Sequence, residues 1–179
     1  HRIQQDLSHF AAGNPAVHAS AGITLHGGKY PLYQAAQDAH DALERAKDHP
    51  GKNAWSFLDE ARPWGEFASQ ESRMQELADL VEAEGASHSL LRTLMDLYAI
   101  YRERQKGQAK PVLWGPWMWR GAYRLKRLEP SLGTDDAKRR VGKIRESLKE
   151  TDFQGIQGWG LPARWAELWT RKRRVSDHD

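Results

Sequence analysis

Three stretches of this chain carry residue types that could act on a phosphate-bearing ligand. Ser20 stands on the polar side of an alternating run, next to Gly22, where a missing side chain leaves room for a base or ribose. The same hydroxyl is equally suited to bonding within a sheet. Lys29 follows Gly27-Gly28, so a flexible turn could carry its ammonium to a phosphate. Lys47 and Lys52 flank the turn of AKDHPGKN at the end of a helical segment, where cations also suit the negative end of the helix dipole. Further on, Lys138, Arg139, Arg140, Lys143, Arg145 and Lys149 share one helical segment. Around it lie Trp114, Trp117, Trp119, Trp159, Trp165 and Trp169, and aromatics interleaved with cations can stack bases while neutralising phosphates.

Two other motifs imitate catalytic ones. Gly133-Thr134-Asp135-Asp136 looks like a metal-binding GGDD hairpin, but Thr134 followed by two acids and AKRRVGKI has the pattern of a helix N-terminus. His40-Asp41 and His178-Asp179 imitate a metal-binding HD pair. One pair falls in an amphipathic helix and the other in the tail, and neither has further ligands at metal spacing.

These residues depend on elements that the spacing of apolar positions predicts. Ile3, Leu7 and Phe10 give a helix over 2–12 that Gly13-Asn14-Pro15 ends. Val17, Ala19, Ala21, Ile23 and Leu25 then alternate with polar residues, which predicts a strand whose apolar face enters a core. Pro31 opens a helix with buried positions at Leu32, Ala35 or Ala36, Ala39, Leu43 and Ala46, and Ala54–Leu58 reads as a second strand. After Pro63 no strand is expected. Helices are predicted at about 66–84, at 87–105 with Leu90, Leu94, Leu97 and Tyr101 inward, at 115–128 with Trp117, Gly121, Leu125 and Leu128 inward, at 134–149 with Ala137, Val141, Ile144 and Leu148 inward, and at 162–173 with Trp165, Leu168 and Trp169 inward. The expected fold class is thus α+β and predominantly α, with domains at 1–62 and 63–179, the second an all-α helical bundle.

Composition narrows the function. The 179 residues contain no cysteine, which excludes disulfides and thiolate metal sites. No run approaches the roughly 18 apolar residues of a membrane span, and no signal peptide is evident, so a cytoplasmic protein with no membrane partner is expected. The net charge of +3 conceals a split: residues 1–100 hold 8 Lys and Arg against 14 Asp and Glu, while residues 101–179 hold 19 against 10. Such asymmetry points the second half toward a polyanion or an acidic partner. His1 stands where a start Met would be, inside a helix already under way, and two strands alone make no stable sheet. The first sixty residues are therefore expected to be half of a larger α/β domain.

In order, SAGITLHGGKYPLYQAAQDAHDALERAKDHPGKN resembles the second half of a nucleotidyl-cyclase palm (ferredoxin-like), the type shared by GGDEF diguanylate cyclases and the large subunits of type III CRISPR complexes. SAGI followed by KYPLYQAA, together with the tail segments WGPWMWRGAYRLKR and ARWAELWTRKRR, is similar to the large subunit of the Csm-type (III-A) complex. The resemblance implies an ATP-dependent oligoadenylate cyclase within an RNA-guided antiviral assembly, with an HD nuclease domain for single-stranded DNA. It implies as partners the other Csm-type effector subunits, CRISPR RNA and target RNA, and as cofactors ATP with Mg²⁺ or Mn²⁺.

By the same resemblance the SxG serine, Ser20, faces the nucleotide, and the basic pair Lys47 and Lys52 reaches the triphosphate, with Lys52 standing where relatives often have arginine. The resemblance assigns the cations from Lys138 to Lys149 to an RNA channel or to subunit docking. The GGDD hairpin and HD domain are absent from the sequence, so the chain alone is expected to be inactive and to hold no metal. Two alternatives stand beside this reading: a non-catalytic RNA-binding or assembly module, and a piece of a diguanylate cyclase.

Overall fold

The structure, a computed structural model, describes residues 2–14, 16–108, 112, 114–150 and 155–176, with side chains in the last helix as far as Arg171. The chain divides into two units, His1–Ser69 and Gln70–Asp179.

The first unit runs α1 (Arg2–Phe10), β1 (Ala21–Ile23), α2 (Leu32–Lys47), β2 (Ala54–Phe57) and β3 (Glu60–Pro63), then a 3-10 turn, Trp64–Glu66. Its sheet has the order β1-β2-β3, with β1 and β2 parallel across the α2 crossover and β2 and β3 antiparallel. The third strand differs from the sequence reading. Leu58 and Asp59 both take left-handed φ, 50° and 64°, which is the backbone of a primed two-residue hairpin normally signalled by Asn-Gly. The first unit continues past this hairpin to Ser69. Trp64 donates its indole N–H to the Ala19 carbonyl at 2.8 Å, and Phe67 meets Trp55 edge-on at 5.0 Å, so both belong with the sheet.

The strand face that meets the helix is the reverse of the one expected. A side chain on Gly22 would sit 2.4 Å from the Leu43 amide nitrogen and 2.9 Å from the Ala39 carbonyl oxygen, so α2 packs its backbone directly on the Gly22 face. Paired residues of parallel strands share a face, which puts Ser56 beside Gly22 and sets Ala21 and Ile23 with Trp55 and Phe57 on the other side. The predicted inward set is largely uncovered: Val17, Ile23 and Leu25 are exposed, as are Ile3 and Phe10 of α1 and Leu32. The glycine decides this, because only a residue without Cβ admits a helix backbone at that distance.

The second unit is helical: α3 (Phe67–Glu82, beginning in the first unit), α4 (Ser89–Gln105), α5 (Pro116–Leu128), α6 (Asp135–Ser147) and α7 (Gly160–Ser176), with 3-10 turns at Glu129–Ser131 and Ile156–Gly158. Leu90, Leu94 and Leu97 of α4 and Ala137, Val141 and Ile144 of α6 are buried at the predicted spacing, as is Trp117. In α7 the predicted face is turned in part: Trp165 packs half-buried against the core, as expected. Leu161, Ala163, Ala166 and Thr170 are buried while Trp169 is exposed. Gly160 lies against the Tyr98 ring, where a Cβ would come within 2.1 Å, and the alanines continue this close seam along α7. Small residues admit the neighbouring helix there, so the large indole is left at the margin.

Candidate functional site

The four nucleotide candidates fall at two ends of α2. Ser20 leads into β1, Lys52 leads into β2, and Lys47 closes α2, so these three gather where the parallel strands begin. Lys29 lies before α2, at the other end of a 16-residue helix, roughly 24 Å long at 1.5 Å per residue. Lys29 therefore shares no phosphate-sized site with the other three.

Within the trio the Ser20 hydroxyl and the Lys47 ammonium are already engaged. The Ser20 hydroxyl donates to the Lys52 carbonyl. Lys52 has φ 52°, and its amide closes a turn on the His49 carbonyl at 2.9 Å, which turns its side chain outward as an exposed cation. Lys47 bonds Glu44 at 2.7 Å, and this contact holds the Glu44 carboxyl below its ordinary pKa. Asn53 receives the Gln4 amide at 3.1 Å and gives its carbonyl to the Trp64 amide, which ties the turn to α1 and to the end of the sheet. The space beside Gly22 suggested for a base is filled by the α2 backbone.

At the opposite end of β1 the structure forms a groove of about 360 Å³ that sequence reasoning missed. Its polar lining is His26, Asp38, Asp41, Arg45 and Asp59, three carboxylates against one guanidinium and an imidazole, which disfavours a phosphate ligand. Tyr30 stacks on His26 at 4.4 Å and donates its hydroxyl to Asp38 at 2.8 Å, and this bond to the carboxylate pushes the phenol above its usual range. Arg45 reaches both Asp59, at 3.4 Å, and Ser56 on the sheet face that α2 covers. Only Asp41 had a sequence signal, as part of the HD imitation, and there it accepts a bond from Gln37 one helical turn earlier.

The basic helix α6 is largely neutralised. Lys138 pairs with Asp135 at 3.0 Å, Arg139 with Asp136, and Lys149 with Glu146, whose carboxyl is thereby held low. Arg140 lies 3.7 Å from the Glu76 carboxylate and donates to the Glu76 carbonyl at 2.9 Å, clamping α6 to α3. Arg145 bonds Glu129 in the preceding turn. Among the described residues only Lys143 of the six has no acidic partner.

The two imitations resolve differently. Thr134 caps α6 by accepting the Ala137 amide at 3.1 Å, with Asp135 and Asp136 in the first turn. His178-Asp179 lies outside the described residues. Among the described residues no three His, Asp or Glu side chains gather as a divalent cation would require, and no helix is long and apolar enough to cross a membrane.

Residues 1–56 match the family described as Cas10/Cmr2, second palm domain. No curated protein and no solved structure matches the chain.

Proposed function

We propose that the chain, whose residues 1–56 match the second palm domain of Cas10/Cmr2 proteins, is part of a Cas10 large subunit of a type III CRISPR complex and carries one wall of an ATP pocket and a helical unit for assembly. The family match over residues 1–56 is the observation that carries this reading. In it, Ser20, Lys47 and Lys52 meet the ribose and phosphates at the beginning of the parallel strands, while the α6 cations serve the RNA channel or docking of neighbouring Csm-type subunits. The subtype is III-A by the resemblance of the basic, tryptophan-rich helices. The location is cytoplasmic, where CRISPR RNA and target RNA are met.

Three observations support a unit that works inside something larger. The outer edge of β1 has no partner strand among the described residues. Ile3 at 81%, Leu32 at 84% and Phe10 at 88% exposure leave apolar surface that an assembly would cover. The trio of Ser20, Lys47 and Lys52 offers charge to a triphosphate from one place. These residues do not fit a divalent ion, since no carboxylate set accompanies them. Any Mg²⁺ or Mn²⁺ belongs to other parts of the assembly.

A second reading, a non-catalytic RNA-binding or assembly module, draws on the engaged hydroxyl of Ser20 and the Glu44-paired ammonium of Lys47. The two are separated in a reconstituted effector complex by Lys47→Ala. A fall in oligoadenylate yield confined to limiting ATP supports the pocket. A wild-type yield at limiting ATP removes Lys47 from it and leaves assembly as the role.

A further inference from the structure

The antiparallel pair α4 and α5 holds a basic surface that differs from α6. Its inner side is packed: Trp117 meets Tyr101 edge-on at 5.2 Å, and Gly121 brings α5 close to Leu97 and Leu148. Its outer side opens as a groove of about 450 Å³ lined by Thr93, Arg120, Tyr123, Arg124, Arg127 and Leu128. Arg120, Arg124 and Arg127 recur at i, i+4 and i+7, so they form one stripe along α5. Trp119 and Tyr123, four residues apart, form a second stripe beside it.

The two stripes are unusually free. Among the described residues Arg120 and Arg127 have no acidic partner; the guanidinium of Arg127 lies 5.9 Å above the Tyr123 ring. Arg124 faces Asp96 at 3.2 Å, with both side chains well exposed, a pair that an incoming phosphate can displace. Trp119 is 62% and Tyr123 63% exposed, although an indole and a phenol ring of that size are usually recruited to a core or an interface. Along α6 and just past its end, by contrast, five of the six cations are already held by acids.

We propose that the α4–α5 groove is a binding site for single-stranded RNA, in which Arg120, Arg124 and Arg127 take successive phosphates and Trp119 and Tyr123 stack bases. Charge complementarity selects a polyanion, and exposed aromatic side chains beside the guanidinium row select one whose bases are unpaired. Recognition is sequence-tolerant, because every base offers a π-face and a phosphate. The inference deepens the proposed function, resting on its RNA-binding part, and it moves the RNA contact from α6 to α5, leaving α6 for subunit docking.

The test is fluorescence anisotropy of the full chain with a labelled short oligouridylate over a salt series. Arg120→Glu with Arg127→Glu is expected to weaken binding at least about tenfold and to flatten the log–log salt slope by about 1.4, at roughly 0.7 per single-strand phosphate contact. Trp119→Ala and Tyr123→Ala are each expected to weaken it roughly fivefold or more with the slope unchanged, since stacking releases no counterions. Lys138→Glu with Arg139→Glu should leave the affinity within about twofold. All these side chains are exposed, so urea midpoints should stay at the wild-type value and confirm that each variant is folded.

Loss of binding in the α6 variant with retention in the α5 variants overturns the groove while the subunit reading stands. Stronger binding to a deoxythymidylate of equal length, to duplex RNA or to anionic vesicles overturns the assignment of the ligand. Absence of RNA binding by the wild-type chain overturns the inference outright, whereas the ATP-pocket reading is decided separately by the oligoadenylate yield of the Lys47→Ala complex.

Discussion

Replacing Gly22 by alanine tests the central feature of the first unit. The added Cβ would stand 2.4 Å from the Leu43 nitrogen, 2.7 Å from the Ala42 carbonyl carbon and 2.9 Å from the Ala39 oxygen. Ordinary carbon contacts lie at about 3.5–4.0 Å, so α2 must retreat by roughly 1 Å. All three obstructing atoms are backbone, and no rotamer change can move them aside. Overpacking costs about 1–3 kcal/mol when neighbours can adjust, and here the upper end applies. For a unit of 69 residues, about 4–8 °C per kcal/mol makes 3 kcal/mol a drop of roughly 12–24 °C. Gly27→Ala is the control: a Cβ there meets no atom within 4 Å, and its effect should stay within about 0.5 kcal/mol. The assay is thermal and urea unfolding followed by amide hydrogen exchange at Trp55 to Phe57, which reports the first unit and not the bundle. If Gly22→Ala behaves like Gly27→Ala, α2 does not lie on that strand face and the account of the sheet is wrong.

Two further outcomes follow from the polar contacts. The Glu44 carboxyl is held low chiefly by its bond to Lys47, so Lys47→Met should return its titration upward toward the ordinary glutamate range, most clearly at low salt. Because the native pKa is depressed, the pair contributes above the ordinary value and opens as pH falls through the lowered one; carboxyl-detected NMR that finds Glu44 unmoved in the variant would show that Lys47 is free in solution and available to a phosphate. Thr134→Ala removes the acceptor of the Ala137 amide and should cost about 1 kcal/mol in urea unfolding, whereas Thr134→Ser should restore most of it; equal stability of all three would return GTDD to the list of possible ligand loops.

What could be read in advance divides along physical lines. Long helices with an apolar stripe were legible because burial repeats at 3.6 residues, and α4 and α6 bury the expected Leu94, Leu97, Val141 and Ile144. The succession of strand, helix and strand was legible from the switch of period between residues 17 and 46 and from Pro31, although its parallel pairing was not. The third strand was not, since its hairpin puts Leu58 and Asp59 into left-handed backbone without Asn or Gly to announce it, and β3 contains Pro63. Faces were harder than elements. At β1 one glycine outweighed five alternating apolar residues, and at α7 a row of small residues outweighed Trp169. In both places close backbone approach decided the packing, and apolar counting has no measure of it.

Charge shows the same limit at the level of the site. Three of the α6 pairs, from Asp135, Asp136 and Glu146, lie three residues before their partners and were available from spacing alone. Glu76 and Glu129 come from other elements, and only the folded chain brings them to Arg140 and Arg145. A substitution of Arg140 by glutamate would therefore open the α3–α6 contact as well as change the surface potential, and any loss of RNA binding it caused would be ambiguous. Arg120 and Arg127 differ in that α5 places no acid beside them, with Glu129 drawn instead to Lys126 and Arg145. The excess of cations in residues 101–179 is thus felt on α5 more than its distribution along the sequence suggests. A polyanion approaching the second unit gains most where positive charge is neither cancelled by a neighbour nor committed to holding two helices together, and on α5 that condition coincides with exposed aromatic rings.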